Sequence, residues 1–226
     1  MSSIHQLHLG HVVLPDSHPR HNEQTSEIYS YVIDHPDGLI VVDTGPRTGH
    51  RFIDELYAPK VVSIIDAINA AGLDDRDVAA VVNTHLHFDH CGQNYLFEKA
   101  PIWITAAEHE ISTTEFYTVP EWASIDPDKL RLSNDGETIA DGVRLLHTPG
   151  HTPGHQSVVV DTEHGLELII GQACYTCAEY RSASPAITDM HDPSWQQVGL
   201  DSLARLRSLD PDRAHLSHDA TTYQPI

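Results

Sequence analysis

Apolar stretches that alternate or run together are separated along this chain by polar, turn-forming segments. Residues 4–14 (IHQLHLGHVVL) read as a first strand, and 18–27 (HPRHNEQTSE) as a polar loop. Residues 28–34 (IYSYVID) and 39–43 (LIVVD), joined by His35-Pro36-Asp37-Gly38, predict a hairpin, because Pro-Asp-Gly reverses a chain readily. Over 61–72 (VVSIIDAINAAG) apolar residues fall at 61, 64, 65, 68 and 71, the spacing of one helix face, with Gly72 as a stop. The run 78–82 (VAAVV) predicts a buried strand, 91–100 a short helix, 101–105 (PIWIT) a strand and 106–116 another helix. Residues 117–129, with Pro120, Trp122 and Pro127, are irregular and suited to covering a pocket.

From Leu130 the pattern changes to short strands and turns: LRLS, Asn134-Asp135-Gly136, ETIA, Asp141-Gly142 and VRLLH. The loop 148–155 (TPGHTPGH) leads to strands at 156–161 and 166–171; residues 173–193 look irregular. An amphipathic helix is predicted over 194–209 with Ser194 as its cap, and a last strand over 214–217. Strands and a helix, then helices, then strands and a helix suit two sheets packed face to face with helices outside. The fold expected is therefore α/β, a four-layer αββα sandwich in one domain spanning 1–226.

Composition narrows the function classes. The chain has 226 residues, is 40% hydrophobic and carries a net charge of −20, scattered rather than in blocks. Phosphate backbones and anionic lipid would repel such a surface, so neither nucleic acid nor membrane is expected as a partner. No apolar run approaches the roughly 18 residues of a membrane span, and the first residues lack the basic end and apolar centre of a secretory leader. Three cysteines, Cys91, Cys174 and Cys177, are too few and odd in number for a disulfide framework. A cytoplasmic protein acting on a small molecule is expected, with a homodimer left open.

The chemistry is concentrated in His85-Leu86-His87-Phe88-Asp89-His90, directly after the run 78–82. Imidazoles and a carboxylate bind zinc, iron or manganese. His85 and His87, two apart in extended backbone, point to one side, while Asp89 and His90 beyond the turn address a second position. His151, in a loop stiffened by Pro and Gly, Gln172 and His218 each follow a predicted strand. Side chains from separate strand ends can converge there.

HLHFDH, TPGHTPGH and the late SHD resemble the metal-binding motifs of the metallo-β-lactamase superfamily, and VVDTG at 41–45 is similar to its early strand-turn. The resemblance runs from about Tyr29 to His218, and Gln172-Ala173-Cys174-Tyr175 is similar to the N-acyl homoserine lactonase branch. It implies one metal held by His85, His87 and His151, and a second held by Asp89, His90 and His218. It also implies Zn2+, one or two ions per chain, with Mn2+ or Fe2+ as alternatives. A bound hydroxide would open a lactone or related ester or amide, Tyr175 would hydrogen-bond the developing oxyanion, and Asp89 would relay a proton. Asp43 would brace the metal loop without touching an ion.

One position departs from that pattern. Where the branch has an Asp shared by both metals, this chain has Gln172, an amide that brings no charge and bridges poorly. Glu179 and Asp189 are poor substitutes by position. Two other readings follow from Gln172: an atypical, mononuclear metalloenzyme with non-hydrolytic chemistry, and a non-catalytic, metal-dependent ligand-binding protein.

Overall fold

The computed structural model describes residues 1–186 and 193–225. Thirteen strands among these residues form two sheets. The first contains β1 (Ser3–Val13), β2 (Thr25–Asp34), β3 (Leu39–Val42), β4 (Lys60–Val61), β5 (Val78–Val82), β6 (Ile102–Thr105) and β7 (Leu130–Ser133). Its spatial order is β4-β1-β2-β3-β5-β6-β7. The second contains β8 (Thr138–Ala140), β9 (Val143–His147), β10 (Gln156–Thr162), β11 (Gly165–Ile169), β12 (Arg213–Leu216) and β13 (Asp219–Tyr223), in the order β13-β12-β11-β10-β9-β8.

Helices α1 (Arg51–Leu56), α2 (Ile64–Ala70), α3 (Phe88–Cys91), α4 (Ala106–Ile111), α5 (Pro120–Ala123), α6 (Cys177–Ser182) and α7 (Pro193–Ser208) complete the chain. No helix among the described residues is long and apolar enough to cross a membrane.

The side-chain period of two explains the layering. Ile33, Ile40, Val42, Ala80 and Val82 face inward, against Val143, Leu145, Val158, Val160 and Ile169 of the other sheet. The alternate residues Val32, Val41 and Val81 face outward, onto Ile64 and Ile68 of α2. On the far side, Leu146, Val159, Leu168 and Leu216 pack under Leu203 and Leu206 of α7. Helix, sheet, sheet and helix are thus the four layers expected, and the hairpin of β2 and β3 pairs Tyr31 with Val42 and Ile33 with Ile40.

Several elements differ from the pattern's prediction. The stretch 61–72 splits: Lys60 and Val61 pair with His11 and Gly10, and the helix starts at Ile64 behind Ser63, whose hydroxyl accepts from Asp66 N–H. The helix predicted over 91–100 is absent; α3 ends at Cys91 and only a single turn, Asn94–Leu96, follows. There the Gln93 and Asn94 side chains serve as struts: Gln93 Oε1 accepts from Ile64 N–H, and Asn94 exchanges hydrogen bonds with Asn83.

The helix predicted over 106–116 stops at Ile111, where Ser112, Thr113 and Thr114 hydroxyls donate back to main-chain carbonyls. Helix α6 lies within the stretch read as irregular and is opened by a reciprocal cap between Thr176 and Glu179. Ser194 lies inside α7 rather than at its cap, and Asp189 falls outside the described residues. Beyond β12 the chain returns as β13.

Candidate metal centre

The ends of β5, β9, β11 and β12 meet on one edge of the sandwich, and six of the side chains singled out above gather there. Ligand atoms of His85, His87 and His151 lie within 4.8 Å of one another, and so do those of Asp89, His90 and His218. His87 Nδ1 sits 3.0 Å from His85 Nε2 and 3.1 Å from His151 Nε2. Burial pushes all three imidazoles toward the neutral form, helped for His85 and His151 by the neighbouring rings; His87 is lowered to about 4. Neutral imidazoles whose nitrogens converge in this way could hold a metal ion. In a tetrahedral zinc site with Zn–N near 2.0–2.1 Å, adjacent nitrogens stand roughly 3.3 Å apart.

Each ring of the second cluster is oriented from behind. His218 Nδ1 donates to the Glu27 carbonyl at 2.9 Å, so Nε2 faces the cluster as an acceptor. That Nε2 is buried and has no hydrogen-bond partner, as an atom reserved for a metal would be. His90 Nδ1 donates to Asp43 Oδ2 at 2.8 Å. Asp43 is held in a left-handed conformation (φ 60°) and also accepts from Thr84 N–H and Oγ1 at 2.7 and 2.8 Å. It braces the metal loop as expected. Burial opposes charge on His90, but Asp43 and Asp89 outweigh it and raise its pKa. Burial acts to raise that of Asp89, yet the surrounding histidines hold it down as a carboxylate.

Gln172 lies beside the second cluster, its Oε1 3.0 Å from His90 Nε2. Its main chain is set independently, because His155 Nδ1 donates to the Thr148 carbonyl and Nε2 accepts from Gln172 N–H at 3.1 Å. His155 is therefore a brace, not a ligand. Tyr175 stands over the same cluster, 5.6 Å ring to ring from His218. Burial pushes the Tyr175 phenol up to about 12, so it stays protonated at neutral pH. Cys174 does not line the site; it lies in the core beneath α7, and Cys177 donates to the Thr221 carbonyl.

Glu108 was not legible as a functional residue. It is fully buried on α4, where Oε1 accepts from Leu86 N–H at 2.7 Å and from the Tyr117 hydroxyl, and Oε2 accepts from Thr152 Oγ1 at 2.7 Å. One carboxylate thus ties the loop bearing His85 and His87 to the loop bearing His151, and also holds Tyr117, whose ring lies 4.8 Å from His87. The approach requires Gly154: a Cβ there would come within 2.1 Å of Glu108 N. Replacing Glu108 with Gln puts an N–H2 against donors, and weakens metal binding at the first cluster about tenfold, as loss of a ligand's support does. Chelator competition measures this; unchanged affinity would show that the two loops hold themselves.

These protonation states predict the stability of the chelated protein. His87 and His218 are lowered to about 4 and His155 to about 3, burial being the main cause in each. In the unfolded chain the same imidazoles take protons near pH 6.5. Stability is therefore full above pH 6.5 and falls as the pH drops from there toward 4, by about 1.4 kcal/mol per pH unit for each histidine. Denaturant melts at pH 7, 6 and 5 test this, and a flat profile would contradict it.

Four of the six donors, His87, Asp89, His151 and His218, line the floor of a cavity of about 710 Å3, with Gln172 and Tyr175 beside them. Val12, Leu14, Ile53, Phe88 and Val119 make its walls apolar, and Phe116 and Tyr117 line it as well. Trp122 does not; it packs behind the wall, edge-on to His50.

The sequence profile of the metallo-beta-lactamase superfamily matches residues 25–218. An N-acyl homoserine lactonase of Bacillus sp is 32% identical over 171 residues, 70% of this chain and 68% of that protein. The N-acyl homoserine lactonase AiiA of Bacillus thuringiensis subsp. kurstaki is 29% identical over 195 residues, 80% of this chain and 76% of that one. A solved N-acyl homoserine lactone hydrolase, with the product N-hexanoyl-L-homoserine at its catalytic metal centre, superposes with a TM-score of 0.79 at 25% identity, over 96% of this chain and 93% of that one. The chain belongs to the metallo-beta-lactamase superfamily, as a lactonase-like metallo-hydrolase.

Proposed function

We propose that this enzyme opens a lactone, or a related ester or amide of a small metabolite, with two divalent metal ions. The observation that carries the reading is the pair of three-donor clusters side by side under an apolar cavity. His85, His87 and His151 would hold the first ion, and Asp89, His90 and His218 the second, with Gln172 at its edge. Zinc suits a set of five imidazoles and one carboxylate; manganese and iron(II) are the alternatives. Divalent ions held there would lower the pKa of water toward about 7 and polarise a carbonyl.

The chain's own residues do the rest. Tyr175, still carrying its proton, donates a hydrogen bond to the carbonyl oxygen as it gains charge. Asp89 remains a carboxylate and accepts a proton from the attacking water, then returns it to the departing alkoxide. The apolar walls hold a hydrocarbon portion of the substrate and keep bulk water from the reacting carbonyl. The three cysteines, all free, suit a reducing cytoplasm.

The neutral amide at 172 supports a second reading, in which the first ion is tight, the second weak, and the chemistry mononuclear. Metal analysis of protein purified without chelator, joined to a screen of lactones, esters, thioesters and β-lactams, separates the two. Close to two ions per chain and lactone turnover are expected. One ion per chain, with no gain on adding zinc or manganese, sinks the two-metal form; a loaded protein that opens none of these substrates sinks the hydrolase reading.

A further inference from the structure

A phenol that must meet a developing oxyanion is useful only if its ring is aimed, and Arg20, distant in sequence, and Glu179, four residues on, converge on Tyr175. The Arg20 guanidinium lies over the Tyr175 ring, its Cζ 4.2 Å from the centroid. It is pinned there by two carboxylates, Glu179 Oε1 at 2.5 Å and Glu23 Oε1 at 2.7 Å. The other oxygen of Glu179, Oε2, accepts from the backbone N–H groups of Tyr175 and Thr176 at 3.0 and 2.8 Å. One carboxylate therefore grips the main chain of Tyr175 and the cation that caps its ring. On the metal side the ring meets His218 at 5.6 Å and His151 at 6.3 Å, between centroids.

We infer that Arg20 and Glu179 are positioning residues, a two-point clamp that fixes the Tyr175 ring between a guanidinium and the metal-site histidines. The inference rests on the role proposed above for the Tyr175 hydroxyl. Two other roles for Arg20 fit less well. A plain surface ion pair would be exposed and contribute little, whereas the Arg20 side chain is only 19% exposed and sits over an aromatic face. A receptor for an anionic substrate group would need spare positive charge, and the two glutamates already neutralise Arg20. The polar residues 18–27 thus have a task that their sequence does not advertise: Arg20 is carried to the site just before the one-turn helix His21–Glu23.

The test combines kinetics with a readout that needs no turnover. In the zinc-loaded enzyme, Arg20→Met lowers kcat about tenfold and leaves KM nearly unchanged, the loss expected when a cation–π contact worth roughly one decade is removed. In a Tyr175→Phe background the same substitution has no further effect, because the hydroxyl it serves is gone. Glu179→Gln, which keeps an oxygen for the two N–H groups and loses the charge that pins Arg20, gives a smaller loss in the same direction.

With 13C-labelled tyrosine, the Tyr175 ring signal, assigned by its absence from Tyr175→Phe, shows slow ring flips in the parent protein, and flips at least about tenfold faster in Arg20→Met. Equal losses of kcat in both backgrounds, or ring flips unaltered by Arg20→Met and Glu179→Gln, overturn the clamp. A parent enzyme that opens no lactone removes the lactonase reading alone, and the ring-flip measurement still decides whether Arg20 holds Tyr175.

Discussion

The His87→Ala protein is expected to fold, to bind its first metal ion more than about 100-fold more weakly, and to lose measurable turnover. His87 is the shared member of the first cluster: its Nδ1 lies 3.0 Å from the donor atom of His85 and 3.1 Å from that of His151. Losing it leaves two imidazoles, and two ligands do not hold a divalent ion in a site built for three. Even groups that merely orient a ligand cost roughly 10- to 100-fold in affinity when removed, which places a ligand's loss beyond that range.

Folding should survive, because His87 is only partly buried and the sheets are closed by Val42, Val82, Leu145 and Val158 rather than by the loop. Truncating a desolvated imidazole even removes a group that opposes folding below pH 6.5. The loss therefore appears in the difference between metal-loaded and chelated melting temperatures, which reports the linkage free energy of the ion. In the parent protein that gap is large; in His87→Ala it shrinks to what the second cluster alone supplies. Metal analysis, calorimetry and lactone turnover on the same samples check all three statements. A variant with parental metal content and turnover would mean the first ion is not where these imidazoles meet.

That His87 can be singled out at all reflects how the site is written in the chain. Four of its donors stand within six consecutive residues, and His151 and His218 each follow a strand, so local sequence carried the donor set. The sheets were legible for a related reason: in Val78–Val82 and its neighbours, residues facing the other sheet alternate with residues facing α2, and both faces are apolar. What was hidden depends on contacts far apart in sequence. Glu108, in AAEHEIST, reads as a solvated helix residue until α4 is brought beneath the 148–155 loop. Arg20 reads as loop polarity until α6 delivers Glu179 to it. Helix α6 itself was missed although Thr176-x-x-Glu179 is a capping box, because Pro185 and the mixed residues around it mask the helical period. The helix expected over 91–100 failed for the converse reason, since Gln93 and Asn94 have better long-range partners than a regular turn offers.

Replacing Gln172 with Asp is expected to act with opposite signs on the loaded and the chelated protein. Residue 172 is placed by its backbone, through the bond to His155, so the exchange leaves its Cα where it is. In the parent, the amide carbonyl rests 3.0 Å from His90 Nε2, an atom the second ion would claim, and supplies no charge to balance it. A carboxylate one methylene shorter withdraws from His90 and adds a full negative charge beside the cluster. Two unit charges 4 Å apart attract by about 4 kcal/mol at an effective dielectric near 20, and desolvation of the carboxylate takes back part of this. A gain of roughly 100-fold in second-site affinity, or about 2.7 kcal/mol, is the expected remainder.

Without metal the same carboxylate is a liability, for it joins Asp43 and Asp89 around one imidazole in a buried setting. The chelated variant should therefore melt below the chelated parent, while the loaded variant melts above the loaded parent and opens lactones faster. Gln172→Glu, equal in length to the parent side chain, separates charge from reach: it shares the chelated penalty but keeps an oxygen against His90 and gains less affinity. If Gln172→Asp leaves metal content, both melting temperatures and lactone turnover unchanged, residue 172 has no part in holding the second ion, and the asymmetry between the two clusters must lie elsewhere.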